Sequence, residues 1–361
     1  KARNEAHVVQ ERRITATSKF GEGTYSSVTT IKLQGMEIIA EVIRTHYDLG
    51  EVELPQQLEA AHQRRHRKMV VNTTAGRFLA KTYKRDPVVL DALRFQHRLS
   101  DHLDQNGLPV ARIQRAKNGK GIVEVDNWAL ELQEFITGEP MRVTSHTLPT
   151  SAKALGQFHK VCHGIPSPPR DANMWRFSEV PREAFQNLFE AARAESSEQQ
   201  VSDHCNAIAL FLQEAATALS IEKRSEFEIG LIHGDFHGAN LLFHNAQLVA
   251  IIDLEFAGLG CYLEDIAYGI SNLCIRTTLS DEKMALRTNM VLDNYQFCRT
   301  LSYAELVALY YAVGVKHVTT VSYQTLQAGK VAGYTATEWM ERLDVQTKWL
   351  AEQARKSRWG H

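Results

Sequence analysis

The stretch LIHGDFHGANLLF (231–243), with IIDLEF (251–256) beyond it, decides the reading of this chain. Asp235, Asn240 and Asp253 each stand between a turn signal and apolar strand residues, which puts carboxylates at the ends of buried strands. Charge is costly there unless something offsets it. Two carboxylates and an amide converging from a loop and the next strand supply hard oxygen ligands. Such a set suits Mg²⁺, which takes one or two protein carboxylates together with substrate phosphates. In phosphoryl transfer a protein mainly positions the reactants and neutralises charge. Every part this needs has a candidate. Asp235 is the base that takes the proton of an attacking hydroxyl, Asn240 and Asp253 are metal ligands, and Lys81 in RFLAKTY (77–83) meets the phosphates of ATP. Asp and Asn also favour turns for their own local hydrogen bonds, and Lys81 on an edge strand would be an ordinary surface lysine. The complete spacing between apolar strands favours the catalytic alternative.

Upstream of this stretch the chain is strand-rich. A polar segment (1–36) precedes MEIIAEVIRTHYDL (36–49), whose apolar positions recur at helical intervals up to Gly50. Two β runs, MVV (69–71) and RFLAKTY (77–83), flank a Gly-bearing turn and predict a hairpin. Asp86-Pro87 opens a helix that stops at Asn106-Gly107. Strand composition then continues to LELQEFITGEP (130–140), and from about Thr147 the pattern turns helical, interrupted only by 231–256. The expected fold is α+β and bilobal: an extension (1–36), an N-lobe of antiparallel sheet with one long helix (37–138), and a helical C-lobe (139–361). The C-lobe carries the catalytic loop (233–240) and the metal-binding strand (251–255). That asymmetry predicts a cleft between lobes.

Composition narrows the function classes. Of 361 residues 44% are hydrophobic, enough for two cores. The formal charge of −1 implies no chain-wide grip on nucleic acid or anionic lipid. No apolar run approaches the ~18 residues that span a bilayer, and KARNEAHVVQERR (1–13) lacks a signal peptide's apolar stretch. Five cysteines without C-x-x-C argue against a disulfide framework or structural zinc, and read as small core residues in a reducing cytoplasm. No nucleic-acid or membrane partner is expected; the composition is silent on oligomeric state.

With these residues in place, the chain resembles the aminoglycoside phosphotransferase, choline kinase and homoserine kinase-like superfamily, a branch of the protein-kinase-like fold. The family pattern H-G-D-x-H-x-x-N, then I-D-x-x-x-A-x-x-G and D-x-A, is met at His233, Gly234, Asp235, His237, Asn240, Ile252, Asp253, Ala257, Gly260, Asp265 and Ala267. In the N-lobe HYDLGEVE, VNTTAGRFLAKTY, GLPVARI and LELQEFITGEPM are similar to homoserine kinase-like members, so the resemblance covers roughly 45–320. It implies ATP, with GTP not excluded, and Mg²⁺ as cofactors, and a hydroxylated small molecule as acceptor: an amino alcohol, a sugar or an aminoglycoside. It further implies that the backbone at Gln133, Glu134 and Phe135 is the hinge that meets adenine, that Asp265 braces the catalytic loop with His233 and His237 as supports, and that Glu255 is an auxiliary metal or water ligand.

Two departures from the family stand out. The phosphate loop, small-residue-rich in relatives, is HQRRHRK (62–68) here, so side chains such as Arg67 and Lys68 are expected to replace backbone amides as phosphate donors, or the loop sits differently and binds another anion. On the helix after Asp86, Gln96 stands where many relatives have a Glu for the strand lysine. Lys81 is then held by Asp91 or by the metal nucleotide, or activity is reduced. The rival reading is a regulatory nucleotide-binding protein of the same fold. Protein as acceptor is disfavoured by the eleven residues between Asp253 and Asp265, too few for a peptide-binding activation segment.

Other features carry less. GEGTYSSV (21–28) reads as a turn in the extension, because Glu41 stands where a kinase lysine would follow. His159 and His163 fall at i, i+4 without a third metal ligand and read as a helix face; Lys316 and His317 either line the acceptor pocket or meet solvent; Trp339, Trp349 and Trp359 read as packing. Glu183, Glu190, Asp203, Asp281 and Glu305 either meet an aminated acceptor or stand on solvated helix faces, which is the norm for acids.

Overall fold

The computed structural model describes residues 35–58, 67–168, 182–196 and 199–359. The turn at 21–28 and the basic residues 62–66 lie outside the described residues. The N-lobe is one antiparallel sheet with a helix on each face. Helix α1 (35–46) is followed by β1 (Gln56–Gln57), β2 (Arg67–Thr73), β3 (Gly76–Lys84), α2 (Pro87–Gln105), β4 (Ile113–Gln114), β5 (Ile122–Val125) and β6 (Trp128–Glu134). The order is β1-β2-β3-β6-β4, with β5 also on β6.

Period-two alternation decides what each face carries. Met69 and Leu132 oppose Ala80 from its two sides, and all three bury with Ile39, Ala40 and Ile43 of α1. One residue along, Lys68 opposes Lys81 and Lys81 opposes Glu131, so three charged side chains share the face turned toward α2 and the cleft. Further along that face Ala129 and Ile122 pack on Leu90 and Leu93 of α2. Helix α2 starts as its sequence predicts: Asp86 caps the Val88 and Val89 amides with Pro87 in the first turn.

The C-lobe begins with β7 (Glu139–Pro140) and α3 (Thr147–Val161), continues through α4 (Arg182–Glu195), α5 (Gln199–Ala218), α6 (Ile221–Arg224) and β8 (Ile229–Ile232), and reaches β9 (Leu241–His244), β10 (Gln247–Ile251) and β11 (Gly258–Cys261). It closes with α7 (Tyr262–Ile270), a π-helical turn (Ser271–Ile275), α8 (Asp281–Gln296), α9 (Tyr303–Ala328) and α10 (Ala336–Trp359). One core joins α3, α7, α8 and α9 beneath β8 and β9; a second joins α4, α5, α9 and α10 around Trp339. Trp339 and Trp349 are packing residues, as expected. Cys162, Cys261 and Cys274 are buried, whereas Cys205 and Cys298 are only half-buried, a correction to their reading as core; all five are free thiols. Among the described residues no helix is long and apolar enough to cross a membrane.

Candidate active site

The loop between β8 and β9 is tied down before any ligand is considered. Gly234 has φ +79°, and a Cβ there would meet the Phe256 carbonyl oxygen at 2.4 Å, so only glycine fits the turn. Asp265, at the start of α7 and fully buried, accepts the amide N–H of His233 at 2.7 Å and of Gly234 at 2.8 Å. His159 reaches the same carboxylate at 3.1 Å through Nε2, and its Nδ1 lies 2.8 Å from the Tyr295 hydroxyl. Together these bonds form a buried network that ties the loop to α7 and α3. His159, read from the sequence as a plain helix face, is part of it.

His233 holds the next turn. Its Nε2 donates to the Ile252 carbonyl at 3.1 Å, so Nδ1 is left to accept the Asp235 N–H at 3.3 Å. The side chain of Asn240 donates to both the backbone oxygen and Oδ2 of Asp235, each at 3.0 Å, while His237 Nε2 sits 3.3 Å from the same Oδ2. With its amide nitrogen so engaged, Asn240 is left its amide oxygen as a ligand atom. The Tyr268 phenol also bonds Asp235, and burial first, the aspartate charge second, push its pKa up. Lys316 lies over the Tyr268 ring at 4.1 Å, which puts it beside the candidate base.

Asp253 follows from β10 by one bond: the Ile252 N–H donates to the Asn240 carbonyl at 2.9 Å, fixing the strand end beside the loop. Asp253 is left-handed (φ 66°, ψ 60°), an uncommon state for a side-chain-bearing residue and one found at functional sites. Its Oδ2 lies 3.3 Å from Lys68 Nζ. Burial would raise its pKa, but Lys68 and Lys81 outweigh that and hold it below the ordinary carboxylate value. Lys68 thus bridges the lobes to a metal-ligand candidate, where the sequence placed it as a phosphate donor; Arg67 is exposed. Glu255 is exposed and close enough to Tyr83 to raise that phenol's pKa.

A small cavity between the lobes is lined by Lys81, Gln96 and Gln133 on one side and Ile252, Asp253 and Leu254 on the other. One expectation about this region needs correction. Asp91 does not hold Lys81: it is exposed and bonded to Arg94 at 2.6 Å. The carboxylate near Lys81 is Glu131 of β6, 3.6 Å away, a residue not singled out in the sequence. And in the hinge the N–H groups of Glu134 and Phe135 are already bonded to the carbonyls of Arg112 (2.8 Å) and Arg77 (3.1 Å), while the Gln133 amide turns to Glu131. No local signal marks Glu131: alternation in WALELQE (128–134) sets it on the face opposite Leu130 and Leu132, where it looks like any solvent-facing acid of a strand.

Two C-lobe expectations also change. Glu305 cannot meet an acceptor: it is fully buried, caps α9 with Ser302 and pairs with Arg299 at 2.6 Å. His317 neither lines a pocket nor meets solvent. It is fully buried, its Nε2 donates to the Gln346 oxygen at 2.9 Å, and the Ser271 hydroxyl lies 3.2 Å from Nδ1. Burial, with Arg276 and Arg342 nearby, lowers its pKa to about 3. Since the folded value lies below the unfolded one, the unfolded chain binds the proton first on acidification. Stability is then intact above pH 6.5 and falls as the pH drops toward 3. Between pH 7 and 5 the loss is about 2 kcal/mol from this group. Urea melts of the native protein against His317→Gln check it: the substitution should remove that slope, and parallel slopes refute the assignment.

No group of three or more His, Cys, Asp or Glu that could hold a metal exists among the described residues. The donor set is one carboxylate and one amide oxygen, which fits Mg²⁺ delivered with a nucleotide better than a protein-only cage.

Comparisons with known proteins bear on the family and the fold. The profile of the phosphotransferase enzyme family matches residues 57–299. A homoserine kinase of Nitrobacter winogradskyi is 26% identical over 274 residues, 76% of this chain and 78% of its own. Among solved structures, an aminoglycoside phosphotransferase of Alicyclobacillus acidocaldarius has TM-score 0.67 at 15% identity, covering 89% of this chain and 95% of that one. Amicoumacin kinase, solved with AMP-PNP and Ca²⁺, has TM-score 0.60 at 15% identity, covering 91% and 96%. At such identities the structures speak for the fold: a protein-kinase-like α+β architecture.

Proposed function

Since the chain belongs to the phosphotransferase enzyme family and is a small-molecule kinase with a hydroxyl acceptor, we propose that it transfers the γ-phosphoryl group of ATP, with Mg²⁺, to an amino alcohol, sugar or aminoglycoside-type molecule. The observation that carries this reading is the bond pair from Asn240 to Asp235, with Asp253 one strand away and Lys81 across the cavity. Asp235, its Oδ2 fixed by Asn240 and flanked by His237, is the base that orients the acceptor hydroxyl and takes its proton. Lys81 would meet the α- and β-phosphates, and Lys68, bonded here to Asp253, would be a second phosphate donor, with Arg67 beside it at the exposed start of β2. Asn240 and Asp253 would hold the metal, with Glu255 as an auxiliary ligand to it or to a water. The metal, when bound, neutralises charge on the β- and γ-phosphates. Adenine meets the backbone from Ile136 onward, the preceding two amides being engaged.

The homoserine kinase relatives favour an amino-alcohol acceptor over the alternatives. A reducing cytoplasm suits the five free thiols. The regulatory reading draws on Gln96 and on the basic loop; the Gln96 argument loses its force because Lys81 has a carboxylate neighbour in Glu131. A coupled ADP-release screen over hydroxylated metabolites and aminoglycosides tests the function, with Asp235→Asn protein as blank. Release that no acceptor stimulates would refute it. The metal assignment has its own test: Asp253→Asn should raise the Mg²⁺ concentration for half-maximal rate by about tenfold or more. An unchanged Mg²⁺ dependence would remove Asp253 from the ligand set.

A further inference from the structure

Lys81 is buried, with 6% of its surface exposed, and a buried ammonium needs a compensating charge. The helix beside it supplies none: Gln96 lines the same cavity as Lys81 but carries an amide. We propose that Glu131, on the central strand β6, is the positioning carboxylate for Lys81, doing from the sheet what a helix glutamate would otherwise do. The inference rests on the reading of Lys81 as the phosphate lysine.

The geometry supports it at each atom. The β3–β6 register sets Glu131 directly opposite Lys81, so the pair is built into the sheet and does not depend on a long side chain reaching across from a helix. Oε1 lies 3.6 Å from Lys81 Nζ and also accepts the Tyr83 hydroxyl at 3.0 Å and the Gln133 amide at 2.9 Å. Oε2 lies 2.6 Å from Nε2 of His97. Both oxygens are therefore fixed, and the carboxylate cannot rotate away. At 3.6 Å the ammonium is held by charge without a short hydrogen bond, so its N–H donors stay available to a phosphate. Burial would raise the Glu131 pKa, but Lys81 and His97 outweigh it and bring it to about 2, which keeps the carboxylate ionised.

The usual division of labour is thereby inverted: the strand gives the carboxylate and α2 gives the group that pins it, His97, next to the Gln96 that gives no charge. The close fit of His97 leaves a trace at Gly121, where a Cβ would come within 2.5 Å of the imidazole Nδ1.

The test combines kinetics, MgADP calorimetry and melting on four variants. Lys81→Met should weaken MgADP at least tenfold. Glu131→Gln should lower kcat/KM for MgATP about 50-fold, chiefly through KM. Adding Gln96→Glu to Glu131→Gln should restore at least tenfold of that loss, because it returns a carboxylate to the same cavity from the helix; a purely structural role would not respond to charge placed there. Glu131→Asp keeps the charge with a shorter reach, safeguards against a Glu131→Gln protein that fails to fold, and should raise KM several-fold. If Lys81→Met loses nucleotide affinity while Glu131→Gln and Glu131→Asp keep native KM, the inference falls and the lysine assignment stands. It falls likewise if a folded Glu131→Gln protein is impaired and Gln96→Glu recovers nothing. If Lys81→Met binds MgADP normally, the lysine assignment and the inference both fall.

Discussion

Asp235→Asn should reduce kcat by about 10³-fold while leaving nucleotide affinity and melting temperature near native. An asparagine preserves the shape, and its side-chain oxygen still accepts from Asn240, which donates 3.0 Å to Asp235 Oδ2. What it loses is the capacity to take a proton. General-base contributions run to 10²–10⁴, and here the base also aligns the hydroxyl, which argues for the upper half of that range. Stopped-assay kinetics with the acceptor found in the ADP-release screen, beside calorimetry with MgADP, separate chemistry from binding. Undiminished turnover would displace Asp235 from the role of base. A fall in kcat accompanied by an equal loss of MgADP affinity would show instead that the loop had moved.

How far the sequence reaches is visible in which of these residues it exposed. The loop 233–240 and Asp253 are legible because their chemistry is local. Turn glycines, apolar strand ends and oxygen-bearing side chains follow one another within a short span, and the loop's own backbone fixes most of the geometry. Asp265 is legible only through family resemblance, since nothing in LEDIAYG says that its carboxylate turns back to the amides of His233 and Gly234. Glu131 and His97 were missed for a further reason. Their pairing is a matter of register between β3 and β6 and of how α2 lies on the sheet, and register is a long-range property that no window of residues encodes. The hinge is only partly legible for the same reason: whether the Glu134 and Phe135 amides are open depends on the neighbouring chain at Arg112 and Arg77. Charged residues in the C-lobe helices were least readable, because Glu305 as a buried cap and an acid on a solvated face look alike in sequence. His317 shows the same limit, its partners coming from the π-helical turn and α10.

Asp265→Asn should cost about 3–4 kcal/mol of stability and about 10² in kcat, although the residue need never touch a substrate. The native carboxylate accepts two backbone N–H groups and His159, so every contact is a donor pointing at an acceptor. An amide replaces one acceptor with an NH₂ that must face another N–H, leaving buried donors unpaired. Burial holds His159 below its ordinary pKa and therefore neutral, so its Nε2–H donates to the carboxylate and Nδ1 accepts from Tyr295, whose hydroxyl in turn lies 3.3 Å from Arg299. The Asp265 pKa responds to burial, which raises it, and to His159 and the loop amides, which together bring it below the usual value. A depressed carboxylate contributes stability that is complete above its unfolded pKa and is lost as acid protonates the folded form. The substitution should therefore destabilise most near neutral pH and progressively less below pH 4. Denaturant melts at pH 7 and pH 3.5 measure this. A mutational cost that stays constant across that interval would mean the carboxylate's charge is not what braces the loop. Because a displacement of 1 Å at the base is enough to lose about 10² in rate, the kcat deficit should appear with acceptor binding little changed. A deficit confined to the acceptor's KM would place Asp265 outside the support of the catalytic turn.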